Sequence, residues 1–252
     1  MVNTATQLRV VAKMESIVRQ NENLSIVEIG PGQGDLTQYF LGWGREVVAL
    51  EIDPEAIEYL KTRFLNQGNF RLYEVDALDL FSNQKELEKL LPQRFVLLAS
   101  LPYNVGSRIL MDIPIYLENI PVALVLQKEV VQKISKKQNF TLFGSWLSLF
   151  WDFKKELDLF PQDFSPQPNV ISSLVTGKNK DLEEYLSTPE KRIKARNVLK
   201  KLFSNPSKTL ANNLLYLDWS KTEIDSFFEK HAFSKNLRLG WENYEDLLKL
   251  VL

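Results

Sequence analysis

The chain has no cysteine and only one histidine, His231. Without thiols there are no disulfides and no thiolate metal site. A single imidazole cannot build a multi-histidine metal centre, nor is a serine–histidine nucleophile pair expected, so no metal site is expected. Long apolar runs are also missing. The opening stretch MVNTATQLRVVAKMES contains no uninterrupted apolar core of signal-peptide length, and no segment approaches a membrane span. The expectation is a cytoplasmic protein with no membrane partner. Charge of one sign is lacking as well: 31 Lys and Arg stand against 32 Asp and Glu, a net charge of −1. That total neither invites nor forbids a nucleic-acid partner, so the distribution of charge has to decide.

What is present is ordinary for a globular protein: 252 residues, 44% hydrophobic and 25% charged. This length can bury one large core, or one core and a smaller one. Leu8, Val11, Met14 and Val18 recur at helical spacing, which predicts a helix over 8–20. Short apolar runs then alternate with helical patterns. SIVEIG precedes a glycine turn and DLTQYFLGWG; EVVALEID precedes PEAIEYLKTRFL; FRLYEVDAL precedes QKELEKLL; RFVLLAS precedes a Pro-Tyr turn; PVALVLQ precedes KEVVQKIS. This alternation predicts an α/β fold, a largely parallel sheet with helices on both faces. Between 141 and 176 the aromatic-rich runs LFGSWLSLFWDF and NVISSLVTG read as a closing antiparallel edge. Beyond about residue 180 the strand signal disappears and helical patterns remain. The expected division is therefore a domain over 1–180 and a small helical domain over 181–252.

In VEIGPGQGDLT, Gly30, Gly32 and Gly34 fall between a strand and a helix, where the backbone must turn tightly and approach a ligand closely. Asp35 stands where a dinucleotide fingerprint needs its third glycine. With Glu28 two residues ahead, the G-x-G-x-G spacing instead resembles the loop that in S-adenosylmethionine enzymes cradles an amino-acid tail and ribose. Glu51 ends the next strand, placed to accept ribose hydroxyls, and Asp76 ends the one after, placed to accept an adenine amine. A purely structural turn explains the glycines but not the two acids. The fourth strand delivers Ser100, Leu101, Pro102 and Tyr103 to the same sheet edge. A tyrosine held by a preceding proline is a flat platform for stacking a base taken out of its helix, and carbonyls near Leu101 can accept from an exocyclic amine. A plain strand-to-helix turn explains Pro102 but not Tyr103.

From 191 to 217 there are seven basic residues and no acidic one: Lys191, Arg192, Lys194, Arg196, Lys200, Lys201 and Lys208. Composition alone leaves this segment open between a solvated helix face and a nucleic-acid contact.

The ordered set VEIGPGQG, LEID, VDAL, SLPYN, LVLQKEV and FSPQPNVISS resembles the ribosomal RNA adenine dimethyltransferases, and the resemblance runs from about residue 8 to the end. The C-terminal LFSNPSKTLANNL and ENYEDLLKL are more similar to the small-subunit branch than to the macrolide-resistance branch. The resemblance implies a Rossmann-like S-adenosylmethionine-dependent fold with a C-terminal all-helical domain. It implies N6,N6-dimethylation of adjacent adenines in small-subunit (16S) RNA during ribosome assembly, by a protein expected to act as a monomer. Glu28, Gly30, Gly32 and Gly34 then fall on the cofactor loop, Glu51 on the ribose acid and Asp76 on the adenine acid. Ile52 and Ala77, their chain neighbours, are counted with the cofactor site, as is Ser100. Ser100 to Tyr103 fall on the catalytic Asn-Leu-Pro-aromatic motif, and Phe164 falls on the aromatic that packs the target base from the other side. Lys191, Arg192, Arg196, Lys200, Lys201 and Lys208 would contact RNA phosphates. Two departures stand out. Serine replaces asparagine at position 100, and the Gln-Asn/His-Phe-Leu segment before the first helix is reduced to Asn3, through divergence or a late start. Both keep an alternative in view: an RNA-binding assembly or transcription accessory factor with little turnover.

Overall fold

The computed structural model describes residues 4–101, 105–135, 140–205, 207–240 and 242–252. Pro102 and Tyr103 lie outside the described residues, as does Asn3. The chain divides into two compact units, Met1–Gln132 with Trp151–Lys180, and Lys133–Phe150 with Asp181–Leu252. A single cut near residue 180 therefore leaves out the segment 133–150, which groups with the helical residues.

In the first unit, α1 (Thr4–Gln20) leads into β1 (Ser25–Ile29), α2 (Thr37–Leu41), β2 (Val47–Glu51) and α3 (Pro54–Arg63). Then come β3 (Phe70–Glu74), α4 (Ala77–Leu80), α5 (Gln84–Leu90), β4 (Phe95–Ser100), α6 (Gly106–Tyr116) and β5 (Val122–Gln127). Helix α7 (Lys128–Ile134) begins in this unit, and β6 (Trp151–Leu159) and β7 (Ser172–Asn179) close its sheet. The seven strands run in the order β3-β2-β1-β4-β5-β7-β6; the first five are parallel, and β7 and β6 are antiparallel. The expected α/β sheet with an antiparallel edge is what forms.

Burial follows that order. β2 is buried at every position, and β1, β4 and β5 at all but one, so they read as near-continuous apolar runs covered on both faces. The edge strand β6 reads WDFKKELDL instead, with charges that discourage pairing with another chain, and a bulge between Lys155 and Leu157. Val10, Val11, Met14 and Val18 form the buried stripe of α1, which packs on β4 and β5. Each such side chain contributes roughly 1.5–3 kcal/mol on burial.

The second unit contains α8 (Leu142–Leu147), α9 (Pro189–Leu202), α10 (Leu210–Leu214), α11 (Lys221–Lys230) and α12 (Tyr244–Val251). The segment 141–150 is not the edge run its aromatic pattern predicts: Thr141 caps a short helix by accepting the Gly144 N–H at 3.0 Å, and Trp146 and Leu147 are fully buried. A six-residue aromatic run does not declare its period, and helical packing decides it. Ser148 and the Tyr244 hydroxyl lie 2.6 Å apart, which ties the end of α8 to α12 and explains why 133–150 joins the helices. Helix α9 starts at Thr188, whose hydroxyl accepts the Lys191 N–H, with Pro189 in the first turn.

Candidate active site

The parallel order β3-β2-β1-β4 brings four strand ends to one edge. Asp76, Glu51, the turn at Gly30 and Ser100 follow each other along it. The sheet changes winding direction between β1 and β4, which opens the crevice where open α/β sheets bind ligands.

Gly30, Gly32 and Gly34 have φ of +66°, +56° and +77°, a region that costs other residues strain. The positions a side chain would take at Gly30 and Gly32 face open space, so a ligand can approach the backbone there. Gly34 does the opposite: a Cβ would stand 2.6 Å from the Phe64 ring and 2.9 Å from Leu60, so the turn rests directly on the end of α3. The Gly30 N–H donates to the Leu50 carbonyl at 2.9 Å, and the Gly32 N–H donates to Glu51 Oε2 at 3.0 Å. Glu51 Oε1 takes the N–H groups of Ile52 and Asp53 at 2.9 and 3.0 Å. Three backbone donors thus fix a buried carboxylate beside an open glycine cradle, an arrangement that fits a ligand bearing hydroxyls and a flexible polar tail.

Glu28 is a carboxylic acid inside an otherwise apolar strand, 3% exposed. Burial pushes its pKa up to about 8, and the charge of Glu51 adds to the rise; the Thr37 hydroxyl, donating to Glu28 Oε2 at 2.7 Å, offsets part of it. At neutral pH this acid is largely protonated.

The turn also has supports that the sequence motifs do not contain. Gln7 of α1 and Gln38 of α2 both donate to the Asp35 carbonyl at 2.9 Å. The Arg63 guanidinium donates to the Gln33 carbonyl, and at 2.9 Å to Gln38 Oε1. No local spacing reveals Gln7 or Arg63 as partners of the turn, because each is brought there by tertiary packing.

Asp76 is partly buried and accepts the Leu78 N–H at 2.8 Å, so it caps α4 while standing at the crevice edge beside buried Ala77. Ile52 is 59% exposed, an unusual position for a large aliphatic residue and one open to a ligand. Ser100 is exposed at the end of β4, and Leu101 is buried with its N–H donating to the Val125 carbonyl at 3.3 Å. Phe164 is half-buried against the apolar cluster of the sheet. Its neighbour Asp163 is held by Thr6, which donates to Oδ1 at 2.9 Å, and by the Phe160 N–H, which donates to Oδ2 at 2.8 Å.

The sequence pattern described as "Ribosomal RNA adenine dimethylase" matches residues 1–251. A relative from Campylobacter hominis, named ribosomal RNA small subunit methyltransferase A, is 36% identical over 94% of this chain and 87% of its own length. One of the same name from Mycoplasmopsis pulmonis is 34% identical over 92% of this chain and 88% of its own. The chain belongs to the ribosomal RNA adenine dimethylase family. Methyl transfer to ribosomal RNA, with S-adenosylmethionine as donor, is the activity of this family, and the accessory-factor alternative is not favoured. Among solved structures, the 23S rRNA methyltransferase ErmE has a TM-score of 0.67 at 17% identity, over 100% of this chain and 97% of that one. A dimethyladenosine transferase from Plasmodium falciparum has a TM-score of 0.65 at 20% identity, over 98% and 87%. At those identities the likeness is one of fold.

The basic segment of this chain is not uniform. Lys194, Lys200, Lys201 and Lys208 are exposed; Lys191 and Arg196 are partly so. Lys191 is paired with Glu184, and Lys201 lies 3.3 Å from Asp218. Arg192 requires a correction. It is 0% exposed, and its guanidinium donates to the Leu186 carbonyl at 2.7 Å and to the Ser187 carbonyl at 3.5 Å. It holds the chain entering α9 and presents nothing to a phosphate. Among the described residues no helix is long and apolar enough to cross a membrane, and no acidic or histidine cluster of metal-binding type occurs.

Proposed function

We propose that this protein adds two methyl groups to N6 of adjacent adenines in small-subunit ribosomal RNA, acting as a monomer in the cytoplasm while the subunit assembles. The relatives named for the small subunit support that choice of RNA. The observation that carries the reading is the Gly32–Glu51 bond, because it joins the open glycine turn to the acid of the next strand at the crevice beside Ser100.

Gly30 and Gly32 would line the cradle for the cofactor's amino-acid tail, with Gly34 and buried Glu28 supporting it from behind, while Glu51 and Ile52 would take its ribose and Asp76 with Ala77 its adenine. When bound, S-adenosylmethionine supplies an electrophilic methyl group on a sulfonium. The chain's task is then to present the amine. An adenine amino nitrogen is a poor nucleophile because its lone pair is delocalised into the ring. The Ser100 hydroxyl and the Leu101 carbonyl accept its two N–H groups and favour a tetrahedral nitrogen whose lone pair faces the methyl group. Tyr103 and Phe164 hold the extruded base between them. Catalysis is mainly positioning and fixed electrostatics, and no strong base is required. Lys200, Lys201 and Lys208 contact phosphates of a structured RNA, with Lys191 and Arg196 at the margin.

Nucleoside mass analysis of small-subunit RNA after incubation with the protein and S-adenosylmethionine tests this. Dimethyladenosine at two neighbouring positions is expected. Methylation confined to large-subunit RNA, or to a single methyl per adenine, would contradict it.

A further inference from the structure

Arg63 is the last residue of α3 and carries none of the roles above. Its guanidinium donates to the Gln33 carbonyl inside the glycine turn and to Gln38 Oε1 at 2.9 Å, and stands 3.9 Å from the Asp35 carboxylate. Gln38 passes the link on, donating to the Asp35 carbonyl, which Gln7 also holds. The guanidinium carbon lies 5.3 Å from the Phe64 ring centre and 5.9 Å from that of Tyr59. Phe64 is also the ring on which Gly34 rests.

A turn built on three left-handed glycines loses more conformational freedom on ordering than any other sequence would. Something must hold it, or a ligand has to order it on binding and affinity falls. Glu51 fixes one point, the Gly32 N–H. The stretch Gln33–Asp35 is fixed by Arg63, whose planar fork satisfies two acceptors at once while its charge stands within cation–π range of two aromatic rings. A lysine gathers its donors on a single mobile nitrogen and lacks the planar fork, so it does not hold both acceptors in this fixed geometry. We propose that Arg63 is the positioning residue that holds the cofactor turn in its binding conformation, an assignment that rests on the S-adenosylmethionine reading above.

The test is calorimetric titration of the full chain with S-adenosylhomocysteine for wild type, R63Q and R63K, with methyl-transfer kinetics and unfolding midpoints alongside. In R63Q the Kd and the KM for S-adenosylmethionine should rise about tenfold, the equivalent of ~1.4 kcal/mol, while kcat at saturating cofactor stays within about twofold. R63K keeps the charge and the aliphatic stem, so it serves if R63Q fails to fold; its Kd should still rise, by about threefold or more. A lowered unfolding midpoint with Kd and KM unchanged would make Arg63 a packing residue only and overturn the proposal. A fall in kcat at unchanged KM, or full recovery by lysine, would also overturn it. If wild type itself fails to bind S-adenosylhomocysteine, the cofactor reading falls, and the proposal with it.

Discussion

The backbone N–H of Gly32 donates to Glu51 Oε2 at 3.0 Å, so the turn after β1 and the acid ending β2 form one piece of structure. Two motifs that are separate in sequence are joined by this bond, and changes at either end should be felt at the other.

The first prediction concerns the far end of the turn. Gly34→Ala places a methyl group 2.6 Å from the Phe64 ring at a φ of +77°. Left-handed strain of about 1–2 kcal/mol and overpacking of about 1–3 kcal/mol both act against it. Urea unfolding should show a loss of this order, and cofactor affinity should fall with it. Unchanged stability would mean that the turn is not seated on α3 as described.

Glu28 gives stability a pH dependence of definite sign. Its pKa is about 8 in the folded protein against an ordinary value of 4.5, so the folded state binds the proton more tightly. The contribution is fully present below pH ~4.5 and is lost as pH rises through ~8, by a few kcal/mol at most. Glu28→Gln removes the titration. Unfolding midpoints of wild type and variant, compared from pH 5 to 9, should diverge in favour of the variant as pH rises. Parallel curves would place the Glu28 pKa near its ordinary value.

The basic segment separates into two kinds of residue. Replacing Lys200 and Lys201 by Gln should weaken RNA binding and lower the slope of log affinity against log salt by about 2, with stability unaltered. Arg192→Leu should instead cost about 1–3 kcal/mol of stability, because the Leu186 and Ser187 carbonyls lose their donor. An unaltered salt slope in the lysine variant would return that face to the solvent.

Ser100 is exposed at the end of β4, where the resemblance expects asparagine. An amide reaches further than a hydroxyl, and its oxygen only accepts because donation belongs to a separate nitrogen. Ser100→Asn should raise single-turnover methyl transfer, by up to about 10²-fold if serine is a weakened acceptor. Equal or slower transfer would mean that the pocket is shaped to serine.

The parts of this account legible in the sequence are those written in local pattern. Near-continuous apolar runs identify β1, β2, β4 and β5, because strands covered on both faces admit few polar side chains. Glycines at 30, 32 and 34 and acids at 51 and 76 mark the crevice, because strand ends recur at regular intervals in an alternating fold. Arg192 could not be told from its basic neighbours, since composition counts charge and not surroundings. The 142–147 run gave no period by which to know it for a helix. Arg63 and Gln7 reach the turn only through the packing of α3 and α1, which no spacing along the chain encodes.

The most direct measurement is transfer of labelled methyl groups from S-adenosylmethionine to under-methylated small ribosomal subunits, by wild type and by Glu51→Ala. Wild type should transfer label, and the variant should do so only at much higher cofactor concentration. Absence of transfer by wild type, under conditions where cofactor binding is measured directly, would contradict the account.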